Sequence, residues 1–260
     1  MPIELASTML AIETGSFQES VPRPFLRQHF QSTWTNRFSS PDERALILPD
    51  GFIHLRWLDG RLSIHGPDRS ARVEELRHGS LVVGFKFQPG AAARWLRAPI
   101  SSFAGMRIPL EEILGRKARA IAEWASEAKT ESGIVQRIEI GLEDLARNMP
   151  SPDAEAERML SLLDSKVAAT APDAADIASA LGVSVRTFRR RCEELFGYGP
   201  KTLERILRFQ RFLTLVRSPI ETHLADCALR AGYADQPHLS RESRRISGLS
   251  PRTIIARLNG

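Results

Sequence analysis

The chain carries one pattern twice, and that repeat limits what its last third can be. Ala178 stands four residues before Gly182, and Ala228 stands four before Gly232, an offset of 50. Gly197 and Pro200 recur as Gly248 and Pro251 at an offset of 51, so the second copy has gained one residue after its first glycine. Each copy reads as helix, tight turn, helix. The small alanine lets the second helix cross close to the first. The glycine ends the first helix in the left-handed conformation, which strains any residue with a Cβ. Ser184 and Asp235 follow where a side-chain oxygen caps a new helix. Phe188 and Leu239 are the apolar anchors of the two second helices. Between the copies, Leu203, Ile206, Leu207, Leu213 and Val216 predict one long helix, with Arg205, Arg208 and Arg211 mostly away from that stripe, on a solvated face or, as the alternative, against phosphate. The reading is an all-α domain over 171–260, with motifs at about 174–196 and 222–246.

Charge follows the repeat. Residues 171–260 hold 15 Lys/Arg against 9 Asp/Glu, a net +6, while residues 1–170 hold 21 against 22, a net −1. Arg186, Arg189, Arg190 and Arg191 crowd the second helix of the first copy; Arg241, Arg244 and Arg245 crowd that of the second. Such a surface attracts a polyanion, with counterion release driving much of the affinity. A helix-turn-helix motif lays its second helix in the DNA major groove.

The two motifs, the helix between them and the run Gly232-Tyr233-Ala234-Asp235-Gln236-Pro237-His238-Leu239-Ser240-Arg241 resemble the DNA-binding domain of AraC/XylS-type transcription regulators. The resemblance spans about residues 170–258. It implies that one chain sets two recognition helices into successive major-groove segments of double-stranded promoter DNA. By position it implies base contacts from Arg186, Arg189 and Arg190 in the first copy, and from Gln236 and Arg241 in the second. Arginine pairs bidentately with guanine and glutamine with adenine. Ser184, Arg191, Arg244 and Arg245 are the candidates for phosphate contact. Two positions depart from the family. Pro237 replaces a side chain that often touches bases, and Ser243 stands where relatives usually carry Phe. A shorter stretch, Gly84-Phe85-Lys86-Phe87-Gln88-Pro89-Gly90 with Ile108-Pro109-Leu110-Glu111-Glu112, is similar to an N-terminal domain of some AraC-type regulators. That similarity implies a regulatory or sensing domain over 1–115.

The first part of the chain reads as a small antiparallel sheet with helical inserts, an α+β domain. Ile53, Leu55 and Trp57 alternate with His54 and Arg56, the period of a strand. Asp59-Gly60 favours a hairpin that sets His54 and His65 opposite each other. Leu81-Val82-Val83-Gly84-Phe85-Lys86-Phe87 predicts a buried strand, and residues 91–96 a short helix. Phe25-Leu26-Arg27-Gln28-His29-Phe30 also fits a strand. From 116 to 170 the period turns helical, with Asp153 starting a helix whose buried side holds Met159, Leu160, Leu163 and Val167. Thr170-Ala171-Pro172 reads as a linker.

The six histidines form no i, i+4 pair and no His-x-His, so no metal is expected. No phosphate loop and no Gly-x-Ser-x-Gly elbow is present, and neither a signal segment nor a cofactor is expected. Cys192 and Cys227 read as buried thiols of a cytoplasmic protein. An effector pocket among residues 52–64 and 81–87 has His54, Arg56 and Lys86 as polar handles; the bland alternative is that all three are solvated on an open sheet face. The reading is a transcription regulator, not an enzyme. Promoter DNA is its partner; a small-molecule effector, RNA polymerase and a second copy of the chain are the further candidates. The rivals are an enzyme with its active site in 1–115 and an N-terminal domain that only dimerises.

Overall fold

The computed structural model describes residues 16–38, 43–165, 173–217 and 223–259. The expected linker at 170–172, Val167 and the start of the second motif at residue 222 lie outside the described residues. In chain order the first part runs β1 (Ser16–Ser20), a 3-10 helix (Pro24–Gln28), β2 (Phe30–Arg37), β3 (Glu43–Ile47), β4 (His54–Leu58), β5 (Arg61–His65), β6 (Arg72–Leu76), β7 (Leu81–Phe87), α1 (Ala91–Leu96), a 3-10 turn (Ile100–Phe103) and β8 (Arg107–Pro109). Helices α2 (Leu110–Leu114), α3 (Arg116–Ser126), α4 (Glu131–Ala146) and α5 (Ala154–Asp164) follow. The strand expected at 25–30 is instead the 3-10 helix, because Pro24 sits at its start and presets a helical φ.

Six strands form an antiparallel sheet in the order β1-β2-β7-β4-β5-β8, and β3 with β6 makes a separate ribbon. Alternation decides the two faces of the sheet. Leu55, Trp57, Leu62, Ile64, Val83 and Phe85 bury against Ile121, Ala122, Ala125, Ile138 and Leu142 of α3 and α4. The opposite face carries the polar residues. Strand register sets His54 across from both His65 and Lys86, and Trp34 across from Gly84. The indole lies over that glycine, where a Cβ would fall 2.0 Å from the ring. This face is not open. The ribbon packs Ala45 and Leu76 against Trp34, Phe38 and Val82, and Arg56 and Lys86 are 4% and 2% exposed.

The C-terminal part is helical: α6 (Ala174–Ala180), α7 (Val185–Phe196), α8 (Pro200–Arg217), α9 (Leu224–Ala231), α10 (Gln236–Ser247) and α11 (Pro251–Asn259). The sequence repeat is a backbone repeat. Val183 N–H donates to Ala178 O and Tyr233 N–H to Ala228 O, each at 2.9 Å. Gly182 and Gly232 take φ of +68° and +91°. The added residue is Ala234, just ahead of the second cap. Leu203 and Ile254, also 51 apart, are both fully buried.

The arginines expected on the solvated face of α8 are engaged instead. Arg205 pairs with Glu242 of α10 and Arg208 with Glu204. Arg211 is buried, donating to Asp164 Oδ1 at 2.8 Å and to Ala231 O at 3.3 Å. Apolar counting put them outside because it cannot see their carboxylates: Glu242 and Asp164 arrive from other elements, and Glu204 stands one turn away on α8 itself. The two parts of the chain also interlock. Leu48 enters the core of the second motif with Phe209, Phe212 and Leu239. Phe52 and α5 enter the core of the first with Ile177, Phe188 and Leu203. Gln210 Nε2 donates to Pro49 O at 2.8 Å, and Ala71 N–H to Ile246 O at 2.6 Å.

Candidate nucleic-acid interface and the cleft behind it

Capping fixes the start of each second helix. Ser184 Oγ accepts from Thr187 N–H at 3.1 Å, and Asp235 Oδ1 accepts from His238 N–H at 2.6 Å. On α7, Phe188 and Cys192 turn inward and Arg186, Arg189 and Arg190 turn outward. Arg189 reaches Glu193 at 3.4 Å and Arg190 reaches Glu194 at 2.9 Å. Exposed pairs of this kind contribute little and are readily exchanged for another anion. Arg191, expected to hold a phosphate, turns to α5 and pairs with Glu155. Its position on the helix brings it round to the inner side, where α5 supplies a carboxylate.

On α10, Leu239 and Ile246 turn inward while Arg241, Arg244 and Arg245 are exposed. Gln236 is half-buried at the first position and Pro237 follows it, in a turn whose N–H groups need no helical partner. Ser243 is fully buried and donates to Leu249 O at 2.9 Å. Ser247 donates to Ser243 O at 2.7 Å. The aromatic usual at 243 is thus replaced by two serines that satisfy each other and the following turn. Both cysteines are buried thiols, and burial pushes that of Cys192 up to about 12. A thiol so protonated is a poor nucleophile.

Residues 177–257 match the family model described as a Helix-turn-helix domain. Two motifs of that kind, on this spacing and joined by one helix, make up that stretch. Residues 177–257 are a helix-turn-helix domain of the AraC type. Residues 18–109 match a second model, Domain of unknown function (DUF6597). No curated protein matches the chain significantly. Among solved structures, an AraC-type DNA-binding domain protein from Chromobacterium violaceum is 24% identical, covering 41% of this chain and 97% of its own, at a TM-score of 0.35. Apo ToxT K231A from Vibrio cholerae is 12% identical, covering 87% of this chain and 98% of its own, at a TM-score of 0.50. Unsaturated fatty acid bound wild-type ToxT from Vibrio cholerae is 12% identical over 95% of each chain, at a TM-score of 0.47. The likeness to apo ToxT is one of fold.

Behind these helices lies a small cleft of about 40 Å³. Trp34, Phe52, His54, Arg56, His65 and Arg107 line it from the sheet side, and Tyr198 from the helical side. The structure therefore brings His54 and Arg56 to one cavity, with Lys86 just beneath it. Trp34 Nε1–H donates to His54 Nδ1 at 3.3 Å, so the other ring nitrogen carries the proton and donates to Asp50 Oδ2 at 2.9 Å. Lys86 lies 3.7 Å from Asp50 and 3.9 Å over the ring of Phe52. Burial opposes ionisation of Asp50, but His54, Lys86 and the Phe52 N–H outweigh it and hold the carboxyl below its usual range.

A second cluster stands beside the first. Arg56 Nη1 donates to both oxygens of Glu74, at 2.7 and 3.0 Å, and to His65 Nδ1 at 3.2 Å. His65 accordingly carries its proton on Nε2, which donates to Ser63 Oγ at 3.0 Å. Burial first, and then Arg56 and Arg107, push this histidine far below its usual range, so it is neutral. Arg107 holds Asp68 at 2.5 Å, and the backbone oxygen of Asp68 accepts from Tyr198 at 2.7 Å. Asp50, Glu74, Arg107 and Tyr198 escaped the sequence reading. The alternation of β4 pointed at this face, but β6 gave no comparable signal, and Tyr198 arrives from the other part of the chain. Among the described residues, no group of three His, Cys, Asp or Glu is placed to hold a metal ion. Among the same residues, no helix is long and apolar enough to cross a membrane.

Proposed function

We propose that this regulator reads two successive major-groove segments with α7 and α10, under control of the cleft behind them. The observation that carries the reading is the repeated cap, anchor and exposed arginine set on two helices of one chain. Arg186, Arg189 and Arg190 contact bases from α7, and Gln236 and Arg241 from α10. Arg244 and Arg245, with the backbone N–H groups after Ser184 and Asp235, hold phosphates. Arg191 stays with Glu155. An effector entering the cleft meets His54 and Arg56 directly and Lys86 through Asp50. Tyr198, at the start of the segment joining α7 to α8, carries its presence to the DNA-binding helices.

Selection of bound DNA from a random pool tests the base-reading part. Arg189→Ala is expected to relax base preference at one element and to lose about 1–3 kcal/mol on the selected site alone. Arg244→Ala is expected to weaken selected and scrambled DNA equally and to reduce the salt slope by about one unit. An equal loss on both DNAs for Arg189→Ala would remove α7 as a base reader.

A further inference from the structure

The ribbon of β3 and β6 shares no backbone ladder with the main sheet. Ala45, Ile47 and Leu76 pack it on the sheet, Leu46 packs on the core of the second motif, Arg72 donates to Gly105 O at 2.7 Å, and Glu74 reaches from β6 to the arginines that line the cleft. There the sheet offers it a cationic seat. Arg56 clasps both oxygens, and Arg107 Nε stands 3.8 Å from Oε1. The seat is not used up. Arg56 Nε and Arg107 Nε are buried and have no hydrogen-bond partner among the described residues. Arg56 itself is 4% exposed. Buried guanidinium donors left unpaired are costly, and planar arginine forks match carboxylates in geometry.

We infer that Glu74 is a built-in occupant of a carboxylate-binding site, and that the effector is a small organic acid whose carboxylate takes its place. This rests on the reading of the cleft as the control site. Charge dictates the class. Any molecule that displaces Glu74 must replace its negative charge, because a neutral one would leave Arg56 buried and unpaired. His65 is neutral and accepts from Arg56, so it steadies the guanidinium and adds no charge of its own. Trp34, lying flat over Gly84, and Phe52 give the body of the acid an apolar wall. Displacement has a direct route to DNA. Glu74 lies three residues from Ala71, whose N–H caps the end of α10 at Ile246 O, and Leu48 beyond β3 fills the core of the same motif. Freeing Glu74 therefore loosens the ribbon that braces the second recognition helix.

The test is thermal unfolding of the full chain and its Glu74→Ala variant in sodium acetate, propionate or benzoate, against sodium chloride and sodium phosphate at matched ionic strength. Glu74→Ala is expected to melt below the wild type and to recover saturably with carboxylates, while chloride and phosphate leave it unchanged. The wild type is expected to need at least tenfold more acid, since Glu74 competes from within. Glu74→Ala with Arg107→Ala is expected to show no recovery. Glu74→Gln keeps the volume and one acceptor, so it serves if the alanine variant does not fold; the acids are expected to act on it at lower concentration than on the wild type. No saturable, carboxylate-specific response in either Glu74 variant overturns the inference, as does an equal response to phosphate or an undiminished one in the double variant. DNA affinity of Glu74→Ala with and without acetate is read separately. A carboxylate response in melting with unchanged DNA affinity upholds the site and sinks the control reading instead.

Discussion

At the scale of single residues, Lys86 and Asp50 set the conditions for a charge inside this fold. Both are buried, 3.7 Å apart, and Asp50 also accepts from His54 and from Phe52 N–H. Burial lowers the affinity of Lys86 for its proton, and Asp50 restores part of it. Removing one partner strands the other. Lys86→Met should therefore destabilise the chain by about 3–5 kcal/mol, while Lys86→Met with Asp50→Asn should come within about 1 kcal/mol of the wild type. Denaturant titration of the three proteins measures this, and additive losses would refute the coupling. The pH dependence has a definite sign. The carboxyl of Asp50 is depressed in the folded state, so its contribution is present above the unfolded pKa of about 3.9 and is lost as pH falls toward the folded value. Asp50→Asn should flatten the fall in stability below about pH 4.

At the scale of elements, legibility tracked what the backbone itself demands. The repeat was readable because Gly182 and Gly232 must take positive φ, Ser184 and Asp235 must cap, and Phe188 and Leu239 must bury. Each of these constraints is local. The cleft was only half readable, since its residues come from β2, β4, β5, β8 and the turn before α8, and meet through register and docking. The helix α5 was found from its period and its Asp153 cap, but its destination was not. Met159, Leu160 and Leu163 share a core with the first motif, and Asp164 neutralises Arg211. We expect residues 153–260 to fold as a unit and 173–260 to melt at least about 10 °C lower. The lost burial of each large side chain is worth about 1.5–3 kcal/mol, and about 1 kcal/mol moves a domain of this size by 4–8 °C. Equal melting temperatures for the two fragments would exclude α5 from that core.

At the scale of the whole molecule, the two motifs are held as one reading unit. The 18 residues of α8 span about 27 Å, and the stretch 48–52 plugs both cores, Leu48 the second and Phe52 the first. Two successive major-groove faces lie about 34–36 Å, or 10–10.5 bp, apart. The selected site should then contain two elements about 10 bp centre to centre. The element under α7 should be the more sharply specified, because α7 offers three arginines to bases whereas α10 offers Gln236, beside a donor-less Pro237, and Arg241, its other exposed arginines going to phosphates. Inserting 5 bp between the elements turns one to the far side of the duplex. That should lower affinity at least about tenfold, the loss of one or more contacts worth about 1–3 kcal/mol each. Inserting a full turn of about 10 bp restores the facing but doubles the distance, which α8 cannot follow. A rigid unit therefore recovers nothing at the full turn, whereas two flexibly joined heads recover most of their affinity. Binding isotherms on the native, half-turn and full-turn sites separate the two, and recovery at the full turn would show that the motifs move independently.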